Sequence, residues 1–156
     1  MRAYADSSFI LRLVTRETDS PQVIAEYRRL GMPRLYFLPL HALEIRNAIL
    51  QRAFHQRRSA APAERAQTAR ERDAALARLE RLLARRALLD VTLDLDAVIT
   101  RACKLSSAHT ERIGSRAIDI LHVASALALE TEQFLTTDSR QARLAKAEAM
   151  KVVLVV

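Results

Sequence analysis

The chain has 156 residues, enough for one domain with a substantial hydrophobic core, and we expect a single domain over residues 1–156. Half of the residues are apolar, yet no uninterrupted apolar stretch of about 18 residues occurs, which excludes a transmembrane helix. Early charges at Arg2 and Asp6 exclude a signal peptide, so a cytoplasmic location is expected, and the net charge of +7, carried almost entirely by arginine, favours polyanionic partners such as nucleic acid.

The first third of the chain alternates short β-rich runs with amphipathic helical patterns. The predicted elements are a strand at 1–5, helices at 9–14 and 21–30, a strand at 34–38 and a helix from 39 to about 54. Ser7 and Ser8 supply N-cap chemistry for the first helix. Gly31 is expected to end the second.

The alternation continues to the end of the chain. The predicted elements are a break at Pro62 and a long polar helix within 56–86, a strand at 87–93, helices at 95–112 and 116–129, a strand at 133–137, a helix at 140–149 and a strand at 151–156. Gly114 is expected to stop one helix, and Ser115 to cap the next. Strands that alternate with helices indicate βαβ units, an α/β class and a parallel sheet.

Composition also limits the chemistry. Cys103 is the single cysteine, so neither an intramolecular disulfide nor a thiolate metal site is available, and we expect this residue to fill the core. The scarcity of aromatic residues disfavours a stacking platform for single strands. Arginine side chains bind phosphate groups well through paired hydrogen bonds, but arginines on exposed helix faces are often only hydrated. The net charge alone therefore does not decide whether the protein binds RNA.

Two aspartates follow predicted strands. Asp6 comes directly after the first strand, and Asp138 follows the strand that ends in LTT. Because open parallel sheets form their sites beyond the carboxyl ends of their strands, we expect both side chains at the same edge. The commoner role of an Asp in this position is a helix N-cap, and either residue alone would be interpreted so.

Two further acids lie within apolar helical patterns. Glu44 shares a helical face with Leu40, His41, Asn47 and Ala48, where a wholly solvated residue is not expected, and its structural alternative is a pair with Arg46 or an arginine on another element. Asp119 lies within RAIDILHVASAL, where an ionised carboxylate is costly to bury without a counter-charge. Arg116 and His122 lie three residues to either side, so a buried Arg116–Asp119 pair and a role in a site have equal weight.

The four acids together predict a cation site. Carboxylates about 4 Å apart repel by roughly 4 kcal/mol at a typical surface dielectric, so a cluster either takes up protons or binds cations. Oxygen ligands without cysteine or histidine at ligand spacing favour Mg²⁺ or Mn²⁺ over zinc. We interpret His122 as a satisfied, partly buried histidine rather than a ligand or a base.

Four segments resemble one known family and occur in its order along the chain. They are YADSSFIL, LHALEIRNAIL, SRAIDILHVASAL and FLTTDSRQARLA, the last followed by a final apolar strand. On these segments the chain is similar to PIN-domain proteins of the VapC-type toxin ribonuclease group. The resemblance covers almost the whole chain and is weakest over residues 56–86, onto which we carry no function.

This resemblance implies a three-layer α/β/α fold with a five-stranded parallel sheet, and a metal-dependent endoribonuclease that uses one or two Mg²⁺ or Mn²⁺ ions. The residues that match the family are the acidic quartet Asp6, Glu44, Asp119 and Asp138, with Ser7, Arg116 and Thr137 as supporting positions. The implied partners are an RNA substrate, a small antitoxin protein and a second copy of the chain.

Two alternatives belong to other classes. A non-catalytic PIN-like module would pair Asp119 with Arg116 and bind RNA or a protein through its basic surface, with salt-sensitive binding and no metal-dependent cleavage. A phosphoacceptor or phosphatase domain is disfavoured, since the first strand is followed by D-S-S rather than a second acid and no lysine follows the fourth strand.

Overall fold

A computed structural model describes residues 2–155, and its elements follow the predicted alternation. The strands are β1 Ala3–Ala5, β2 Leu35–Phe37, β3 Leu88–Asp90, β4 Gln133–Thr136 and β5 Val152–Leu154. The helices are α1 Ser7–Val14, α2 Ser20–Arg29, α3 Pro39–Ser59, α4 Arg65–Ala84, α5 Leu95–Ile113, α6 Ala117–Ala128 and α7 Ser139–Ala147. A single 3₁₀ turn, Pro62–Glu64, separates α3 from α4.

The five strands form one parallel sheet in the order β3-β2-β1-β4-β5. Successive side chains of a strand point to opposite faces. Ala3 and Ala5 accordingly pack in a core with α1 to α4, whereas Tyr4 packs in a second core with α5 to α7. The predicted α/β fold, a five-stranded parallel sheet between two helical layers, is confirmed.

The strand order places a topological switch at β1. The chain leaves β1 and builds β2 and β3 on one side, then returns to place β4 and β5 on the other. Ala5 at the end of β1 lies beside Leu135 of β4, so the residues that follow these two strands are neighbours. In open α/β sheets, ligands bind beyond the carboxyl ends of the strands at such a point.

Helix boundaries agree closely with the predictions, but two predicted caps are wrong. Asp6 caps α1, as the cap interpretation of this residue predicted, because its carboxylate accepts the N–H of Phe9 at 2.9 Å. Ser7 and Ser8, the other predicted caps, belong to the helix itself. Arg116, not Ser115, occupies the N-cap of α6. Asp6 occupies the N-cap because a short carboxylate side chain at that position can accept the N–H groups of the first turn, which have no partner within the helix.

Three further expectations are corrected. Helix α3 continues to Ser59, beyond the predicted end near residue 54, because no helix breaker precedes Pro62. Strand β3 covers only Leu88–Asp90 of the predicted 87–93. Cys103 is exposed on α5 rather than buried in the core, since the buried face of that helix is formed by other residues, such as Ala102 and Leu105.

The predicted helix ends at glycine are confirmed. Gly31 follows α2 and Gly114 caps α5, both with left-handed backbone angles, φ 78° and 74°. Within residues 2–155, no helix is long and apolar enough to cross a membrane.

Candidate functional site

Asp6 is fully buried at the end of β1, and hydrogen-bond donors surround its carboxylate. Oδ1 accepts the Phe9 N–H at 2.9 Å, Oδ2 accepts the Thr136 hydroxyl at 2.7 Å, and the Ser8 hydroxyl lies within 2.9 Å of both oxygens. Burial raises the pKa of Asp6, against the opposing effects of the His122 charge and of these hydrogen bonds. The carboxylate is therefore held in one orientation beside the end of β4.

Glu44 lies in the second turn of α3 and joins a partly buried hydrogen-bonded network. Its Oε2 atom is 2.6 Å from Nε2 of His122 and accepts the Ser7 hydroxyl at 2.8 Å. The other ring nitrogen of His122 lies 2.8 Å from the Tyr4 hydroxyl. Burial alone would raise the pKa of Glu44, but the hydrogen bond and charge of His122, with the bond from Ser7, hold it below its ordinary value. Glu44 is therefore an ionised partner of His122.

His122 is a satisfied histidine, as expected, although it is only 1% exposed rather than partly buried. Both ring nitrogens are engaged, which leaves neither free as a metal ligand. Ser7 and Glu44 both lie at Nε2, whereas a catalytic triad places the acid at the opposite nitrogen from the nucleophile. The arrangement therefore orients Glu44 and does not activate Ser7.

His41 attaches the start of α3 to the end of β1. Its Nδ1 accepts the Leu38 N–H at 2.9 Å, and Nε2 is 2.9 Å from the carbonyl oxygen of Ala5, which requires Nε2 to carry the proton. Burial, and secondarily the charge of His122, lowers the pKa of His41 to about 3. This neutral histidine fixes the first turn of α3 and so positions Glu44 one turn later.

Asp119 is buried at the start of α6, and its side chain has partners other than the Arg116 guanidinium. Its Oδ2 accepts the backbone N–H of Arg116 at 3.0 Å, and its Oδ1 accepts the side-chain amide of Gln141 at 3.2 Å. Within residues 2–155, the exposed guanidinium of Arg116 has no carboxylate at ion-pair distance. Of the two alternatives for Asp119, the buried Arg116–Asp119 ion pair is therefore wrong, because Asp119 bonds the free N–H at the helix start instead.

Asp138 caps α7, in agreement with the cap interpretation. Its Oδ1 accepts the N–H groups of Arg140 at 2.7 Å and Gln141 at 3.3 Å, and its own N–H donates to the Thr136 hydroxyl at 2.8 Å. The predicted supporting residue Thr137 donates its hydroxyl to Ser8 at 2.7 Å. The start of α7 is thereby joined to the start of α1.

Single bridging residues connect the four predicted acids. Thr136 connects Asp6 to the backbone of Asp138, and Gln141 connects Asp138 to Asp119. Ser7, which follows Asp6, connects to Glu44. The structure thus gathers the acids around the first turn of α1, although among residues 2–155 no three His, Cys, Asp or Glu side chains form a group that could hold a metal ion.

Sequence reasoning missed the contacts that hold these acids. They are the bonds from Ser8 and Thr136 to Asp6, from Gln141 to Asp119, and between His122 and Glu44, with Tyr4 at the other ring nitrogen of His122. The expected alternative for Glu44, a pair with Arg46, is also wrong, since Arg46 pairs with Glu80 on α4. The hydroxyl residues of the segments DSS and TTD, which follow or end two strands, were visible in the sequence. That these two segments bond to each other depends on the pairing of β1 with β4, which the sequence does not show.

A comparison of the chain with protein-family models finds no match, and a search among curated proteins finds none either.

Proposed function

We propose that this protein is a metal-dependent endoribonuclease of the PIN type, with Asp6, Glu44, Asp119 and Asp138 around its active site. One observation carries the proposal: two acids that follow β1 and β4 and two from α3 and α6 lie around the switch point of a parallel sheet, connected by single bridging residues. Helix capping accounts for Asp6, Asp119 and Asp138 one by one, but it does not account for Glu44, which comes from the second turn of α3 and is joined to the same group through Ser7.

The donor atoms fit a hydrated Mg²⁺ or Mn²⁺ ion. Magnesium usually keeps several waters and binds through one or two carboxylates, so a group of three protein ligands is not required. Glu44 Oε1 and Asp138 Oδ2 accept no hydrogen bond from residues 2–155, and their side chains are 29% and 26% exposed. These two oxygens would hold one or two ions, and the buried carboxylates of Asp6 and Asp119 would add negative charge.

When bound, such an ion supplies a water-derived nucleophile at neutral pH and stabilises negative charge on a phosphate. The chain itself positions the reacting groups. Ser8 and Thr136 hold the Asp6 carboxylate in one orientation, and His122 does the same for Glu44. Arg116 precedes α6 with an exposed side chain and is available to bind the RNA backbone, since guanidinium groups pair well with phosphate.

The test is RNA cleavage by wild type, Glu44→Gln and Asp138→Asn in Mg²⁺ or Mn²⁺ and in EDTA. We expect EDTA to abolish cleavage and each substitution to reduce it by about 100-fold or more, since replacing residues that only orient ligands costs roughly 10- to 100-fold. Asp94→Asn is the matched control, because Asp94 caps α5 through the same pair of bonds, to Asp96 and Ala97, that Asp138 makes in α7. Cleavage insensitive to EDTA and to both site substitutions contradicts the proposal.

A second candidate, a non-catalytic PIN-like module that binds RNA or protein, is favoured by one observation. Every acid of the quartet is already hydrogen-bonded within the protein, and residues 2–155 contain no preformed three-ligand group. Salt-sensitive RNA binding with no cleavage in either metal supports this function and contradicts catalysis.

The proposal includes the protein partners that the resemblance implies, a small antitoxin and a second copy of the chain, and a cytoplasmic location. Leu43, Leu50 and Phe54 on α3 are 69%, 51% and 54% exposed at helical spacing, and such apolar surface is typical of protein contacts. Light scattering tests the homodimer. Coexpression with the neighbouring small open reading frame tests the antitoxin, since relief of growth arrest is expected and unrelieved toxicity contradicts it.

A further inference from the structure

A cavity of about 450 Å³ lies between the end of α1, the middle of α3 and the first half of α4. Arginine dominates its charged wall. The charged lining residues are Arg16, Arg52, Arg70, Arg72, Arg78 and Glu71. Five cations against one anion give this concave surface an excess of positive charge.

Two of these arginines are neutralised by neighbouring carboxylates outside the lining. Arg52 lies 3.1 Å from Glu17, and Arg72 lies 2.8 Å from Asp73. The only acid in the wall, Glu71, accepts a hydrogen bond from Gln67.

The other three, Arg16, Arg70 and Arg78, have no carboxylate at ion-pair distance within residues 2–155. Arg78 is half-buried, and its pKa is lowered by burial first and then by the charges of Arg16 and Arg81. Three arginines without an ion-pair partner among residues 2–155 therefore share one cavity, in which Glu71 is the only lining carboxylate.

A structural explanation covers only part of this cluster. Arg78 donates to the carbonyl oxygen of Val14 at 2.8 Å and so satisfies a free carbonyl at the end of α1. That bond uses one of the five donors of a guanidinium. Arg70 bonds only to Gln67, and Arg16 makes no side-chain hydrogen bond to residues 2–155, so most donors of these two guanidinium groups have no partner in the described protein.

The cavity is separate from the acidic site. Asp6 and Arg16 flank α1 at opposite ends, and this helix of eight residues is about 12 Å long at a rise of about 1.5 Å per residue. On α3, Glu44 and Arg52 are likewise eight residues apart, again about 12 Å along the helix axis. A ligand in the cavity therefore has its own binding groups.

We propose that this cavity binds a compact oligophosphate anion, either inorganic or the phosphate chain of a nucleotide. Guanidinium groups bind phosphate oxygens in pairs of parallel hydrogen bonds. A single phosphate group offers about three acceptor oxygens, fewer than three guanidinium groups that each bind a pair of oxygens can use, so two or more linked phosphates match the wall better. The cavity volume lies in the range of small-molecule sites, roughly 300–1,000 Å³, and no aromatic residue lines it, so the phosphates rather than a base provide recognition.

The experiment is isothermal titration of the full chain with pyrophosphate, tripolyphosphate, ADP and adenosine. EDTA in the buffer removes metal from the acidic site, which makes the result independent of the proposed ribonuclease. We expect one-to-one binding of the phosphate compounds and none of adenosine. Equal affinity for ADP and pyrophosphate indicates recognition of the phosphates alone, and tighter binding of ADP indicates a nucleotide ligand.

Arg16→Gln and Arg70→Gln are each expected to weaken binding by about tenfold or more, the effect of losing a charge-assisted hydrogen bond. Both side chains are exposed, so thermal unfolding should be nearly unchanged. The matched control is Arg101→Gln, an equal change of charge at an exposed position on α5 in the opposite layer.

Three results overturn the proposal. One is the absence of binding by every phosphate compound. The second is equal weakening by Arg101→Gln, which indicates attraction by net charge alone. The third is an affinity for single-stranded RNA that increases with length and that tripolyphosphate does not compete, which indicates an RNA path over this surface instead.

Discussion

Replacing Glu44 with glutamine tests the network that holds the proposed site. Glutamine keeps the size of the side chain but removes its charge, so the bond to His122 is no longer charge-assisted. Hydrogen bonds to charged groups contribute about 1.5–3 kcal/mol to the free energy of unfolding. At 29% exposure the Glu44 carboxylate is largely shielded from water, and we expect Glu44→Gln to cost about 1.5–3 kcal/mol, or roughly 3–12 °C in Tm.

The pH dependence gives a second, independent signature of the same pair. The folded-state pKa of Glu44 lies below the ordinary value of 4.5. Ionised Glu44 therefore contributes stability that is fully present above that ordinary value and is lost as the pH falls through the folded-state pKa. The difference between wild type and Glu44→Gln should be largest near neutral pH and should shrink as the pH is lowered below 4.5.

Urea unfolding of both proteins, measured from pH 7 down to about pH 3.5 in equal ionic strength, provides the free energies. Glu80→Gln is the control, because Glu80 forms an exposed pair with Arg46 and should cost only about 0–1 kcal/mol. A Glu44→Gln variant within about 0.5 kcal/mol of wild type at pH 7, or a difference that does not shrink in acid, refutes the reasoning.

Three other perturbations follow from the same structure. Asp6→Ala should cost about 2–4 kcal/mol in chemical unfolding, since it removes a helix cap and the acceptor of the buried Thr136 hydroxyl, while Asp6→Asn should cost clearly less; equal costs contradict the cap. His41 should show no titration by NMR between pH 8 and pH 5, because its folded-state pKa is about 3. The unfolded chain binds a proton at this histidine near pH 6.5, so His41 lowers the free energy of unfolding as the pH falls below 6.5. A titration step near pH 6.5 in the folded protein contradicts the burial of His41. Gly114→Ala should cost about 1 kcal/mol in thermal unfolding from backbone strain alone, since φ is 74° and no atom lies within 4 Å of the added carbon, and an unchanged Tm contradicts this.

Periodicity and turn residues predicted most of the fold because those signals are local. Apolar stripes located the helices, and Gly31 and Gly114 ended two of them as expected. The helix caps were harder to predict, because Asp6, Ser7 and Ser8 are all good capping residues and only the backbone geometry selects one. The prediction that Cys103 is buried was wrong because cysteines are buried only on average, and the type of one residue does not fix its exposure.

The acids of the site were predictable, but their partners were not. Glu44 and Asp119 are charged residues within apolar helical patterns, and such a pattern can be recognised from neighbouring residues alone. The contacts of Glu44 to His122 and of Asp6 to Thr136 join residues 78 and 130 positions apart in the chain, and they depend on how helices cover the sheet. The Arg116–Asp119 ion pair stayed an open alternative in the sequence because spacing alone does not distinguish an arginine side chain from its backbone N–H.

The central claim is that Asp6, Glu44, Asp119 and Asp138 form a divalent-cation site. A crystal of the protein soaked in Mn²⁺, with anomalous diffraction recorded, tests this claim most directly. We expect an anomalous peak bound by the free oxygens of Glu44 and Asp138, next to the buried carboxylates of Asp6 and Asp119. A saturating soak that leaves these four carboxylates in their present hydrogen bonds, with no anomalous peak beside them, would contradict the account.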